Sequence, residues 1–426
     1  MTTETSSYSN STSSLTRLFG NAYPIVIISL CAGFLFYKYI LQVYPGIITD
    51  QLMQEFNLTG AGLGNLAATF YYSYMIMQLF VGVLLDKYGA RLLSTSAVFI
   101  SALGLYIFSQ THNLLMAELA RGLMGVGVAF ATVAYMKIAA VWFAPQQYAF
   151  VGGLLATAAM AGAVFGEAPL SWLVNEYGWR QSLMYCGVAG LALAFLLLLL
   201  VRERQTVTTQ IKNKITFKDI LEVLKNKQNW LLTLYSGLAF SPIAIFGGLW
   251  GNPFLQEAYH VSKTQAASLL SLIFIGLGVG SPLIGALSDR LGNRKDVMFY
   301  STLTAFIAVA LIIYWQTMPT WLLSVLLFTF GFTLGAFMLS FTIGKEINKV
   351  YLTATVIAMI NTCDAVLDAV TEPAIGKLLD MTWHGKIVNG VHYFSLHDYQ
   401  LALSVLPIYL LLATGLLLFI KDKTKS

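Results

Sequence analysis

Gly82-Val-Leu-Leu-Asp-Lys-Tyr-Gly-Ala-Arg91 and, about two hundred residues further on, Gly285-Ala-Leu-Ser-Asp-Arg-Leu-Gly-Asn-Arg294 repeat one pattern. Each copy closes a long apolar run and opens a short basic loop, so the two mark equivalent points in two halves of a duplicated chain. The residue types have a mechanical rationale. Gly82 and Gly285 let neighbouring helices approach, Asp86 and Asp289 stand at helix ends where a carboxylate accepts from backbone donors or an arginine, and Gly89 and Gly292 permit a tight turn. With Arg91, Arg290 and Arg294 they form a candidate gating motif that holds one side of the molecule in one state and releases it in another.

The surroundings of the motif are those of a membrane protein. Hydrophobic residues make up 57% of the chain and charged residues 11%, too few charges to cover a water-soluble surface of this size. Mean hydropathy is +0.70. Apolar runs long enough to cross a bilayer fall at roughly 22–49, 61–85, 92–110, 114–143, 147–175 and 181–201, then at 229–258, 264–287, 296–315, 320–348, 352–381 and 399–420. They predict an all-α integral membrane protein with twelve transmembrane helices in two pseudo-symmetric six-helix bundles. The bundles are expected at 22–202 and 229–420. Residues 1–21 read as a disordered tail rich in Ser and Thr, 203–228 as a basic linker with an amphipathic segment around Phe217 to Leu224, and 421–426 as a second tail.

The halves match beyond the loops. A shift of 203 to 208 positions carries Pro45 onto Pro253, Asp86 onto Asp289 and Pro169 onto Pro373. Parallel repeats of this kind imply a pseudo-twofold axis along the membrane normal and a cavity between the bundles. Placing both tails and the even-numbered loops on one side collects 18 of the 25 basic residues there, against four (Arg180, Lys263, Lys377 and Lys386) on the other. By the positive-inside rule the first side, with both termini, is cytoplasmic, which in a bacterium means the inner membrane.

The loop pattern resembles the signature of the major facilitator superfamily, of the form G-x-L-x-D-x-x-G-x-R between helices two and three. The resemblance extends over all twelve spans and includes Arg121-Gly-Leu-Met-Gly125 in helix four. Tyr71-Tyr-Ser-Tyr74 with Gln78, Lys137-Ile-Ala-Ala-Val-Trp-Phe143, Leu249-Trp-Gly-Asn-Pro-Phe254, Pro373-Ala-Ile-Gly-Lys-Leu-Leu-Asp380 and Tyr399-Gln-Leu-Ala-Leu403 are similar to the phagosomal transporter branch of intracellular bacterial pathogens. That resemblance implies import of amino acids or nucleosides. The branch tends to carry an acidic residue in helix one and Leu-Arg-Val before the proline, whereas here Lys38 and Leu41-Gln-Val43 precede Tyr44-Pro45. The G-P-x-x-G-G segment typical of drug exporters is replaced by Gly162-Ala-Val-Phe-Gly166-Glu-Ala-Pro169 in helix five, which disfavours export.

Ionisable side chains are costly inside a bilayer, so each is a functional candidate. Lys38 lies about sixteen residues into helix one, ~24 Å along its axis, and is expected to face the cavity or a carboxylate. Arg121 lies ~10 Å from the outer end of helix four, with Glu118 one turn earlier as a possible partner, so ion pairing and substrate contact are both open to it. Lys137, near the other end of that helix, reads as structural or gate-related. In helix eleven Asp364, Asp368 and Glu372 follow one another at intervals of four, after Asn361, and drift by only ~40° per step along one face. Low-dielectric surroundings disfavour charging all of them at once, so Asp364 or Asp368 is a candidate carrier of a coupling proton, with Glu167 in helix five as rival and Arg121 as a possible partner of Glu167. The expected substrate-binding residues are Lys38, Tyr71, Tyr74, Arg121, Trp250, Asn361 and Asp364.

These features predict a secondary active transporter, not an enzyme, that imports a small polar metabolite by alternating access and is driven by protons. An amino acid or nucleoside is the expected cargo. The alternatives are a carrier of an anionic metabolite or carboxylate siderophore, favoured by Lys38, Arg121 and Lys137, and a ligand sensor that moves nothing. The sequence has no G-x-x-x-x-G-K-[ST] loop for ATP, its five histidines are scattered without a partnered cysteine, and Cys31, Cys186 and Cys363 lie in apolar runs. No cofactor, metal or nucleic-acid partner is therefore expected. The expected partners are the small-molecule substrate, the proton and lipid, with the protein acting as a monomer.

Overall fold

The computed structural model describes residues 22–143, 145–202, 217–349 and 352–421. The expected tails at 1–21 and 422–426 and most of the linker lie outside these residues; of the linker, Phe217–Lys225 forms the short helix its pattern predicts.

Twelve transmembrane helices follow: α1 (Tyr23–Val43), α2 (Gly60–Tyr88), α3 (Ala90–Gln110), α4 (Leu114–Val128 and Ala131–Trp142), α5 (Pro145–Tyr177) and α6 (Trp179–Leu200), then α7 (Lys227–Ile245 and Gly251–Tyr259), α8 (Lys263–Leu291), α9 (Arg294–Tyr314), α10 (Thr320–Leu334 and Leu339–Ile347), α11 (Thr353–Thr382) and α12 (Leu396–Leu403 and Val405–Leu417). Local chemistry sets several of the starts. The Thr59 hydroxyl accepts from the Gly62 N–H at the head of α2, Asn113 caps α4, and Ser262 forms a capping box with Gln265 at α8. Gly89 (φ 84°) and Gly292 (φ 60°) turn the chain after α2 and α8, in backbone regions that disfavour a Cβ, as the repeated motif predicts.

Eleven helical stretches among the described residues are long and apolar enough to cross a bilayer. The exception is α11, whose 30 residues have the length but carry Asp364, Asp368, Glu372, Lys377 and Asp380. It lies at the interface of the bundles, packed on α2 and α7, where its acidic face is screened from lipid. Large apolar side chains such as Leu79, Phe195 and Phe419 point outward, while Lys38, Arg121, Glu167, Asp364 and Asp368 are buried. That is the inverse of a soluble protein.

The duplication is visible in the helix breaks. Helix one, expected to run unbroken to residue 49, stops at Val43, and Pro45 sits in a 3-10 turn at Tyr44–Ile47. The π-helical turn Phe246–Trp250 interrupts α7 at the equivalent place, just before Pro253. The two turns touch, and a Cβ on Gly46 would meet the Gly248 carbonyl at 2.7 Å. A second matched pair of breaks divides α4 after Val128 and α10 at Gly335–Met338.

The bundles meet at one end and part at the other. The meeting end carries the connections after α1, α3, α5, α7, α9 and α11; the parted end carries the first and last described residues. On α2, Gly64 lies against the Glu372 carbonyl and Pro373 of α11, too close for any Cβ. Gly82 is five helical turns further along the same face, and nothing lies within 4 Å of its Cβ position. On α8, Gly278 meets Met160 of α5 at 3.3 Å, whereas Gly285, two turns on, again faces open space, as does Gly153 two turns from Met160 on α5. The close helix approach expected at Gly82 and Gly285 is therefore absent, since no described atom lies within 4 Å of either Cβ position.

Candidate functional site

Four helices bring polar side chains to the bundle interface near mid-depth. From α1, Lys38 is buried, with its ammonium 3.3 Å from the Tyr74 hydroxyl of α2 and over the rings of Tyr74 (4.8 Å) and Tyr39 (5.2 Å). No carboxylate forms an ion pair with it among the described residues. Tyr39 of α1 lies within electrostatic reach of Lys38 and also of Asp364 and Asp368.

The acidic wall belongs to α11 and α7. The Ser236 hydroxyl donates to Asp364 at 3.0 Å and the Ser241 hydroxyl to Asp368 at 2.6 Å. Both carboxylates are buried, and each has a neutral partner where a cation would be needed to offset its charge. Glu372 is also buried, one of its carboxylate oxygens has no hydrogen-bond partner among the described residues, and its backbone carbonyl accepts from Trp250 Nε1 at 3.3 Å. The π turn of α7 thus points Trp250 at the base of the acidic ladder. Asn361 is half-buried one turn before Asp364. Tyr71 is buried near Asp368 and Glu372, with Gln42 of α1 as its side-chain hydrogen-bond neighbour.

Two possible pairings do not form among the described residues. Arg121 does not meet Glu118, which accepts instead from Asn65 Nδ2 at 3.1 Å. The guanidinium turns inward, donates to the Leu41 carbonyl at 2.7 Å and the Ala67 carbonyl at 3.1 Å, and lies over the rings of Tyr44 and Phe70. It ties α1, α2 and α4 together just before the break in helix one. Nor does Arg121 meet Glu167, whose two carboxylate oxygens are fully buried without a hydrogen-bond partner among the described residues. Arg121→Gln is expected to lower stability by about 1–3 kcal/mol for each carbonyl left unsatisfied. Thermal melting of the detergent-solubilised variant checks this; lost ligand affinity at an unchanged melting temperature would instead place Arg121 on the binding surface.

The two motif copies each bind their own bundle. Arg91 donates to the Leu198 carbonyl of α6 (2.6 and 3.0 Å), and Lys137 to the Leu85 carbonyl at the end of α2 at 2.6 Å. In the second copy Arg294 joins Asp289 (2.9 Å) to Glu346 of α10 (2.8 Å), while Arg290 is exposed. The Asp86 side chain lies outside the described part. Ser236 and Ser241 are the site residues that sequence reasoning missed; they are hydroxyls in an otherwise apolar helix, a signal too common to single them out.

The sequence profile of the Major Facilitator Superfamily matches residues 25–252 and 232–420. An uncharacterized transporter, YybO, of Bacillus subtilis (strain 168) is 29% identical over 38% of this chain and 37% of its own length. A probable L-galactonate transporter of Escherichia coli (strain K12) is 24% identical over 56% of each chain. The chain thus spans between about a third and somewhat over half the length of these two curated relatives. Among solved structures, a bacterial homolog of the human lysosomal transporter Spinster, in an inward-facing and occupied conformation, superposes with a TM-score of 0.76 at 14% identity, covering 94% of this chain and 97% of its own.

Proposed function

The chain belongs to the Major Facilitator Superfamily, and we propose that it is a secondary active transporter that imports a small polar metabolite, an amino acid or a nucleoside, by proton-coupled alternating access. The observation that carries this reading is the buried Lys38 ammonium, hydrogen-bonded to Tyr74, together with the buried, serine-bonded carboxylates Asp364 and Asp368, all three within electrostatic reach of Tyr39. A desolvated cation needs a counter-charge, and buried carboxylates need a proton or a cation. A cargo that carries an anionic and a cationic group meets both demands. The likeness of Tyr71–Tyr74, Leu249–Phe254 and Pro373–Asp380 to the phagosomal branch supports the same cargo classes.

By the positive-inside rule the parted end, with the termini, faces the cytoplasm of a bacterial inner-membrane protein, so the conformation is open inward. Gly82, Gly153 and Gly285 then supply the faces on which the bundles close in the opposite state.

A second reading, a carrier of organic anions, is favoured by Lys38 and by the named substrate of the Escherichia coli relative. A thermal-shift screen of the solubilised protein against amino acids, nucleosides and sugar acids separates the two, since a ligand that binds only the folded state raises its melting temperature. Stabilisation by amino acids or nucleosides is expected. Stabilisation by sugar acids alone would replace the first reading with the second.

A further inference from the structure

The stretch Gly376-Lys-Leu-Leu-Asp380 repeats the first five positions of the gating motif, Gly82-Val-Leu-Leu-Asp86 and Gly285-Ala-Leu-Ser-Asp289, but at the opposite end of the molecule. Here it is engaged between the bundles. Asp380 of α11 accepts from the N–H of Gly60 at 2.7 Å through one carboxylate oxygen and from the N–H of Ala61 at 2.8 Å through the other. These are among the first amides of α2, which have no partner within their own helix, and the positive end of the helix dipole favours the carboxylate. Gly376 makes room for this contact, since a Cβ on it would collide with the Gly60 backbone. The hairpin Ile387–Val388 and Val391–His392 folds over the seam and touches the Thr49–Phe56 helix of the other bundle, with His392 stacked on Trp383 and 3.8 Å from Asp380.

The pseudo-twofold repeat supplies an independent comparison. The shift of 204 that carries Pro169 onto Pro373 carries Gly60 onto Thr264, at the head of α8. There Asn175 Nδ2 of α5 donates to the Thr264 hydroxyl at 2.6 Å, and the Ser171 hydroxyl lies 3.4 Å from the same oxygen. Equivalent helix heads are thus held across the interface by equivalent helices, one through a carboxylate and one through neutral groups. A hydrogen bond to an ionised acceptor is roughly twice as strong as a neutral one.

We propose that Asp380 is the principal latch of the meeting end, a positioning residue that sets how much of the protein is closed there, with Asn175 and Thr264 as the weaker counterpart. The proposal rests on the alternating-access reading, in which this end must open once per cycle. It is tested by double electron–electron resonance between spin labels on Tyr177→Cys and Trp321→Cys, exposed positions at the meeting end of α5 and α10, after replacement of the three native cysteines. Asp380→Asn is expected to shift the distances toward a longer population, Asn175→Ala to shift them less, and Asp380→Glu to restore part of the short one. Gly376→Ala is expected to open the seam by steric means without touching the carboxylate, and decides the matter if Asp380→Asn fails to fold. Folded Asp380→Asn and Gly376→Ala proteins with the distances of the parent would overturn the latch. The distances report conformation whether or not cargo moves, so a failed latch is distinguishable from failed transport, which is read from flux through the unaltered protein.

Discussion

Asp368→Asn is expected to abolish accumulation of substrate under an imposed proton gradient while exchange of substrate for substrate continues. An amide cannot take up and release the proton, yet it keeps the shape of the carboxylate and can still accept the Ser241 bond found at 2.6 Å. The cavity therefore stays intact, and exchange needs only an intact cavity. A one-unit pH gradient stores about 1.4 kcal/mol per proton, enough to concentrate a co-transported solute about tenfold. The parent protein in proteoliposomes should approach that ratio and the variant should stay near equality. Asp364→Asn, against Ser236, is the companion experiment. If both variants still accumulate substrate, the proton is carried elsewhere, and Glu167, fully buried with neither oxygen bonded among the described residues, is the next residue to replace.

The second large effect is expected at Lys38. Its ammonium has a phenol and two aromatic faces around it, a weak environment for a buried charge, so a substrate anion should contribute most of its compensation. Removing one member of a buried charge pair costs about 2–5 kcal/mol, so Lys38→Gln should weaken substrate binding roughly thirtyfold or more. Isothermal titration in detergent reads the change directly. An unaltered affinity in a protein that melts earlier would show that Lys38 supports the packing of α1 and α2 and does not hold the cargo.

Both residues were legible in the sequence because charge inside an apolar run is rare and the four-residue spacing of Asp364, Asp368 and Glu372 sets them on one face whatever the tertiary structure. The helices and the duplication were legible for similar reasons, since apolar length and the repeated Gly–Asp–Gly–Arg pattern are local properties. What escaped depends on contacts between distant segments. The pairing of Ser236 with Asp364 and of Ser241 with Asp368 follows from the register of α7 against α11. Arg121 spends its donors on backbone carbonyls, which every residue carries and no sequence pattern announces. The breaks in α4 and α10 contain no proline to mark them. The packing of Gly64 against α11 and the open space at Gly82 depend on where distant helices lie. Both glycines therefore look alike until the bundles are seen parted.

The account stands or falls on movement of a solute. Purified protein is reconstituted into proteoliposomes, and uptake of the radiolabelled amino acid or nucleoside that most raises the melting temperature is followed with and without an imposed pH gradient. The predicted result is uptake above equilibrium that appears with the gradient and collapses on addition of a protonophore. A ligand that binds without crossing the membrane, or a flux indifferent to the gradient, would contradict it.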